Sequence, residues 1–327
     1  MLASPSGTNA PALQAEPERH FQRVGPWLVA LGAALWGTES AWRIPLNDLF
    51  ASDVIVFYEH VILVALFLPL VIARAGELRR ASAAALGYLV FSGVAGSAVG
   101  TIFFTEALKR GNPTVVNVVL NVQPILSTTA AYFRFGDRLA RSFFVWALLA
   151  VVAGAVLSVE HPALIGASFA AAGLNAGTGF ALLCALFWGL STVAGRGAMV
   201  ELSLGFASGM RVVIGLVCMT LILAVGGKLG VADLWPAAVQ AHAGRAILFL
   251  VCLAVLSGGV PLLFYFWGLS LTRASTAGYF EMMQTLAAVA ITWGFFDAAL
   301  LPHQVGAALV LVFAVAMVQR AQESIGQ

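Results

Sequence analysis

Charge is what this sequence has least of. Only 10% of its 327 residues are charged, against 61% hydrophobic, where an average soluble domain carries about a quarter charged residues. A chain so poor in charge has no polar surface to keep a buried core in solution, so a soluble globular protein is excluded. Cysteine is scarce as well. Cys184, Cys218 and Cys252 each fall inside an apolar run, where a lone thiol behaves as a small hydrophobe, so no disulfide framework or zinc site is indicated. Residues 1–24, rich in Ala, Pro, Ser and Glu, lack the apolar centre of a secretory signal; a flexible cytoplasmic tail is expected there. No phosphate loop, Ser-His-Asp arrangement or metal-ligand cluster occurs, and four of the five histidines fall in tails, loops or helix ends. The reading is therefore not an enzyme, with no cofactor and no metal. Lys109 and Lys228 sit at helix ends, which excludes a retinal pigment, and a net charge of +2 gives no reason to expect nucleic acid.

What the chain has instead is long apolar runs. Ten can be counted, at 26–43, 53–73, 82–108, 113–133, 140–159, 175–195, 203–226, 245–271, 274–298 and 303–319. Each is about the 17–25 residues needed to cross ~30 Å of hydrocarbon. With the N-terminus cytoplasmic, eleven basic residues fall on the inner side and five (Arg43, Lys109, Arg110, Lys228 and Arg245) on the outer side. That asymmetry predicts both termini in the cytoplasm.

The runs also repeat. Trp36-Gly37 and Trp188-Gly189 lie 152 positions apart, as do Leu31 and Leu183, and Val61-Ile62 and Val213-Ile214. Beyond the loop at 227–244 the offset becomes 161 and pairs Leu108 with Leu269, Gln123 with Gln284, and Ala147-Leu148 with Ala308-Leu309. Five crossings per repeat is an odd number, so the second half enters from the opposite face. The fold expected is all-α and integral to the membrane, with ten transmembrane helices as two inverted-topology five-helix repeats. Residues 1–24 form a tail, 25–160 the first repeat, 161–174 a linker, 175–320 the second repeat and 321–327 a second tail. Inverted repeats of this kind are a transporter signature, with the site between the halves near the midplane.

Several of these motifs, namely Trp36-Gly37, Trp188-Gly189, the Glu-Ala-Leu at 106–108, Gln123-Pro124 and the FGDRL of 135–139, resemble the ten-helix EamA-type exporters of the drug/metabolite transporter superfamily. Within that family the likeness is greatest to YddG-type aromatic amino-acid exporters. The resemblance covers about 26–319, and Thr285 stands where a second Gln-Pro would need proline. It implies a multi-pass protein of a bacterial-type inner membrane, whose partners are the lipid bilayer and a small-molecule substrate, an aromatic amino acid first, with a monomer sufficient. The alternatives are export of other amino acids, purines or drugs, or an uncoupled facilitative pore.

Ionisable groups within the runs each cost on the order of 3 kcal/mol at a helix centre and need a reason to be there. Glu39, Glu59 and His60 fall in the outer half, where they could capture an ammonium group, relay protons, or sit as wetted rim residues. Arg211 and Glu281 lie at matching depths on the inner side, which predicts an ion pair. In the run from 113, Thr114, Asn117, Asn121 and Thr128 fall on one helical stripe, and Pro124 interrupts the backbone bonding. The stripe suits a substrate pathway, although amides also fasten helices together. Trp36, Trp188, Tyr58, Tyr265 and Tyr279, with the adaptable Met282 and Met283, are expected to line an apolar pocket. The pathway set is thus Trp36, Glu39, Glu59, His60, Asn117, Asn121, Trp188, Tyr279 and Met282, with Gln123, Pro124, Arg211, Glu281 and Gln284 structural or gating.

Overall fold

The computed structural model describes the backbone of residues 12–111, 113–136, 139–157, 176–295 and 301–323. The expected linker at 161–174, residues 1–11 of the N-terminal tail and Asp137 of FGDRL lie outside those residues; residues 12–24, expected as flexible tail, are helical and continue into the first apolar run. All regular structure among the described residues is helical.

The first run is two helices, not one. α1 (Ala12–Trp36) ends in a turn at Gly37-Thr38, and α2 (Glu39–Asn47) follows. Gly37 is where α1 meets a later helix, since a Cβ there would lie 2.6 Å from the Gln284 carbonyl oxygen and 2.7 Å from Ala287 Cβ. α3 (Ser52–Ala73) and α4 (Ala83–Arg110) come next. Within α4 the stretch Ser92–Val99 winds as a π-helix.

The run from 113 divides into α5 (Pro113–Leu120) and α6 (Gln123–Phe135), with Pro124 in the first turn of α6. Proline is tolerated there because a first-turn N–H has no helical partner. The expected kink is thus a full break two residues upstream of the proline. α7 (Arg141–Leu157) closes the first half.

The second half follows the same order. It runs through α8 (Ala176–Ala198), α9 (Leu204–Val225), α10 (Ala243–Ser270), α11 (Ala274–Glu281), α12 (Met283–Phe295) and α13 (Pro302–Glu323). α10 carries its own π stretch, Val255–Gly259, just before Pro261. Shifted by 161, the two π stretches overlap and the two mid-helix breaks coincide at 121 and 282; Gln123 opens α6 and Gln284 is the second residue of α12. α8 stays continuous through Trp188-Gly189, so the break after Trp36 has no counterpart.

The packing pairs each half with the other: α3 with α9, α4 with α8, α1 with the second part of α10, α6 with α11, and α7 with α13. Partners run in opposite directions. On α3, Asp53 bonds Lys228 just past α9 at 2.6 Å, while a Cβ on Gly209, early in α9, would meet Val71, late in α3. In lipid, helix association depends on close packing, and α1 and α10 touch backbone to backbone where Gly25 meets Gly268. At one end of the bundle Glu201 accepts from the Ser82 N–H and hydroxyl, both at 2.7 Å. Glu77 accepts from the Ser203 N–H (2.7 Å) and hydroxyl (2.6 Å). Each carboxylate thereby caps a helix of the opposite half.

The outer face is apolar. Phe133 is 80% exposed, Leu309 70% and Val225 91%; a soluble surface would not carry such a belt, whereas hydrocarbon requires one. Six helices among the described residues are long and apolar enough to cross a membrane, and α7 is a shorter apolar helix.

Candidate functional site

The α3–α9 and α4–α8 pairs, together with α1, the start of α2, α6, α10, α11 and the start of α12, line a cavity of about 740 Å3, open solvent at its mouth included. Its wall is mixed. Trp36, Trp188 and Tyr265 supply rings; Glu39, Glu59, His60, Arg211 and Glu281 supply ionisable groups; Gln123 and Gln284 supply amides.

The aromatic side is ordered. Trp36 and Tyr265 have ring centroids 4.7 Å apart. Trp188 donates from Nε1 to the Gly96 carbonyl at 3.1 Å and packs 5.2 Å from Phe104. A Cβ on Gly100 would come within 2.7 Å of that indole. The Gly93, Gly96 and Gly100 ladder therefore seats cavity side chains as well as bringing helices together.

The acidic residues of the first half share one guanidinium. Because α2 begins at Glu39, Glu39 and Arg43 are one turn apart on the same face. Arg43 Nη2 donates to Glu39 and, at 2.8 Å, to Glu59; Nη1 donates to Thr105 Oγ1 at 2.9 Å. Thr105 in turn donates to the Thr101 carbonyl at 2.8 Å. Arg43 is 0% exposed. Counted from sequence among the outer-side basic residues, it is instead a buried member of the site. It was the clearest omission of the sequence reading, and its spacing of four from Glu39 was the available signal.

His60 uses both ring nitrogens. Nδ1 lies 2.8 Å from the Val56 carbonyl, which can only accept, so Nδ1 carries a proton; Nε2 lies 2.8 Å from the Ser97 hydroxyl. Its partners are those two groups and not the adjacent Glu59, which is taken by Arg43.

Glu281 closes α11 at the break, and three donors from three other helices converge on it. They are the Gln123 amide, the Thr192 hydroxyl (3.0 Å) and the Tyr265 hydroxyl (2.9 Å). Buried carboxylates need such donors when no cation is adjacent. The expected Arg211–Glu281 ion pair is not formed: among the described residues no carboxylate lies within 4 Å of the Arg211 guanidinium. Arg211 instead sits 5.4 Å over the Phe266 ring and reaches the Ser92 hydroxyl at 3.4 Å. Matching depth along two helices fixes height but not the direction each side chain faces.

The asparagines take a different position. With α5 and α6 broken apart, Asn117, Asn121 and Pro124 line a second, smaller recess of about 350 Å3, open solvent included, together with Gly278, Met282 and Thr285. Asn121 donates to the Asn117 carbonyl at 3.0 Å and accepts from Thr285 at 3.2 Å, and Thr128 donates to the Ser275 carbonyl at 3.0 Å. Gln123, Glu281 and Gln284 line both spaces and separate them. Tyr279 does not line either. It is buried in the helix core, edge-on to Phe143 at 5.4 Å, because its face of α11 points to α7. The small hydroxyls Ser97, Thr101, Ser191, Thr192 and Ser257 on the wall also escaped sequence reading, since serine and threonine are common in apolar helices.

Comparison with known proteins adds to this geometry. The EamA-like transporter family profile matches the chain twice, over residues 23–159 and 175–320. The riboflavin transporter ImpX of Fusobacterium nucleatum subsp. nucleatum is 24% identical over 304 residues, covering 90% of this chain and 97% of that protein. A solved crystal structure superposes with a TM-score of 0.65 at 18% identity, covering 92% of this chain and 98% of the other; at that identity the likeness is one of fold.

Proposed function

We propose, for a chain that belongs to the EamA-like transporter family, that it exports small amphipathic, ring-bearing metabolites across a bacterial-type inner membrane by alternating access. The single observation that carries this reading is the cavity itself. Aromatic rings on one side, Trp36 tilted against Tyr265 and Trp188 beside them, and ionisable groups with amides on the other suit a molecule with a flat apolar part and a polar head. Aromatic amino acids fit that description and are the first substrate to test. The two halves enter from opposite faces as inverted repeats, as the antiparallel cross-half pairing and the breaks 161 positions apart suggest. Both termini then lie in the cytoplasm, and a monomer contains the whole cavity. Gln123, Glu281 and Gln284, between the two spaces, act as the partition that must move. The smaller recess with Asn117, Asn121 and Met282 is the next station on the path.

A second reading has its own support. The relative in Fusobacterium is a riboflavin transporter, and a flavin ring would also lie against Trp36, Tyr265 and Trp188. A thermal-shift panel of amino acids, purines and flavins on purified protein separates the readings, because a native-state ligand raises stability with concentration. Flux of the strongest binder from loaded proteoliposomes then follows, with and without an imposed pH gradient or voltage. A steady-state gradient that neither driving force alters would favour the uncoupled pore. Absence of flux for every binder would overturn the transport reading for this cavity.

A further inference from the structure

The charged groups that line the cavity differ in what holds them. Glu39 and Glu59 are both committed to Arg43. His60 has a partner on each nitrogen. Glu281 accepts from three donors. Among the described residues Arg211 has one long hydrogen bond, 3.4 Å to Ser92 Oγ, and its Nε is buried without a partner. Glu281 does not reach it, since among the described residues no carboxylate lies within 4 Å of the Arg211 guanidinium.

A guanidinium presents five N–H donors in a rigid plane. Inside a membrane a cation with most of those donors unused, facing an internal space, is costly and marks a functional position. The chain also makes room for it. A Cβ on Gly96 would lie 2.9 Å from Arg211 Nη2, and one on Gly93 would lie 3.0 Å from the Arg211 carbonyl oxygen. Both glycines belong to the π stretch of α4, where the widened turn lets α9 come close. Phe266 covers one face of the guanidinium and leaves its edge for a planar, two-oxygen acceptor.

We infer that Arg211 is the anchor for an anionic group on the transported molecule, a carboxylate or a phosphate monoester held by paired N–H···O bonds. This rests on reading the cavity as the substrate pathway, and it narrows the substrate class to anions and zwitterions. A neutral ring compound lacks the group that Arg211 is built to take.

The test uses purified full-length protein and matched probes: L-phenylalanine against L-phenylalaninamide, and riboflavin 5′-phosphate against riboflavin. Affinity is read from thermal shift and tryptophan fluorescence, and flux from loaded proteoliposomes. The member of at least one pair that carries the carboxylate or phosphate is expected to bind and move roughly tenfold to a hundredfold better than the partner that lacks it, the range given by one charged hydrogen-bonded pair. Arg211→Gln should abolish that preference, and Arg211→Lys should keep part of it, since the charge remains but the fork is lost. The responding pair tells carboxylate from phosphate. Members lacking the carboxylate or phosphate that bind and move as well as those carrying it, a preference that survives in Arg211→Gln, or no binding of any carboxylate or phosphate probe would each overturn the inference. Saturable flux of a probe without carboxylate or phosphate would leave the transport reading standing, whereas no flux of any probe would sink that reading instead. Elution of both variants at the wild-type position on size exclusion separates loss of binding from loss of fold.

Discussion

Replacing Arg43 by glutamine removes the one cation that Glu39 and Glu59 share. The cluster then carries two buried carboxylates where it now carries a formal −1 with Thr105 as a further partner. Leaving a buried charge without its counter-ion costs about 3–5 kcal/mol. For a large chain roughly 2 °C of melting temperature corresponds to 1 kcal/mol, so Arg43→Gln should lower the midpoint by roughly 6–10 °C. Glu59→Gln leaves a one-to-one pair with Glu39 and should cost far less. The triple variant Arg43→Gln, Glu39→Gln, Glu59→Gln removes all three charges and should recover most of the loss. The assay is thermal unfolding in detergent followed by intrinsic fluorescence, with the four proteins at one concentration. If Glu59→Gln proved as damaging as Arg43→Gln, or the triple variant melted below Arg43→Gln, charge balance would not be what holds this cluster.

Gly96→Ala should cost about 1–3 kcal/mol by overpacking, because its new Cβ would strike Ser191 and approach Arg211 Nη2; adding Ser191→Gly should return part of the melting temperature. Ser82 donates from its hydroxyl and N–H to Glu201 and holds that carboxyl below the usual carboxylate range, hydroxyl first. A depressed folded value means this contribution is fully present above the ordinary carboxylate pKa and is lost as pH falls through the lower folded one. Glu201→Gln should therefore flatten the fall of melting temperature between about pH 5 and pH 3, and an unchanged slope would count against the cap. Trp188→Ala should weaken ligand binding more than Asn117→Ala, since the indole lines the main cavity and the amide only the smaller recess; equal losses in a thermal-shift titration would put the substrate in the wrong space.

Much of this protein could be read before its structure. The apolar runs, their repeat and the ring pair Trp36 and Trp188 all lie on the surface of the sequence, because hydrocarbon imposes its own length and composition. The helix breaks were only half legible. Pro124 flagged the first, but the α11–α12 break at Met282 has no proline, since Thr285 takes that place. Tertiary contacts coincide with it instead: Glu281 is gripped by three other helices, and Met282 packs against the flat surface left by Gly154. Arg43 was misplaced because counting basic residues by side treats every arginine near a run's end as wetted, whereas a second short helix carries this one inward. The stripe Asn117–Asn121–Thr128 assumed one uninterrupted helix; the two-residue interruption turns Thr128 and Asn121 to bridging α11 and α12.

The most direct measurement places a single thiol in the cavity. With Cys184, Cys218 and Cys252 replaced by alanine, Thr101→Cys puts a small reactive group on the cavity wall. Proteoliposomes loaded with the binder found by thermal shift are treated with a charged, membrane-impermeant thiol reagent, with and without that binder in excess. Labelling at position 101 is expected to stop flux, and the binder is expected to slow labelling. Full flux through protein labelled at that position would contradict passage through this cavity.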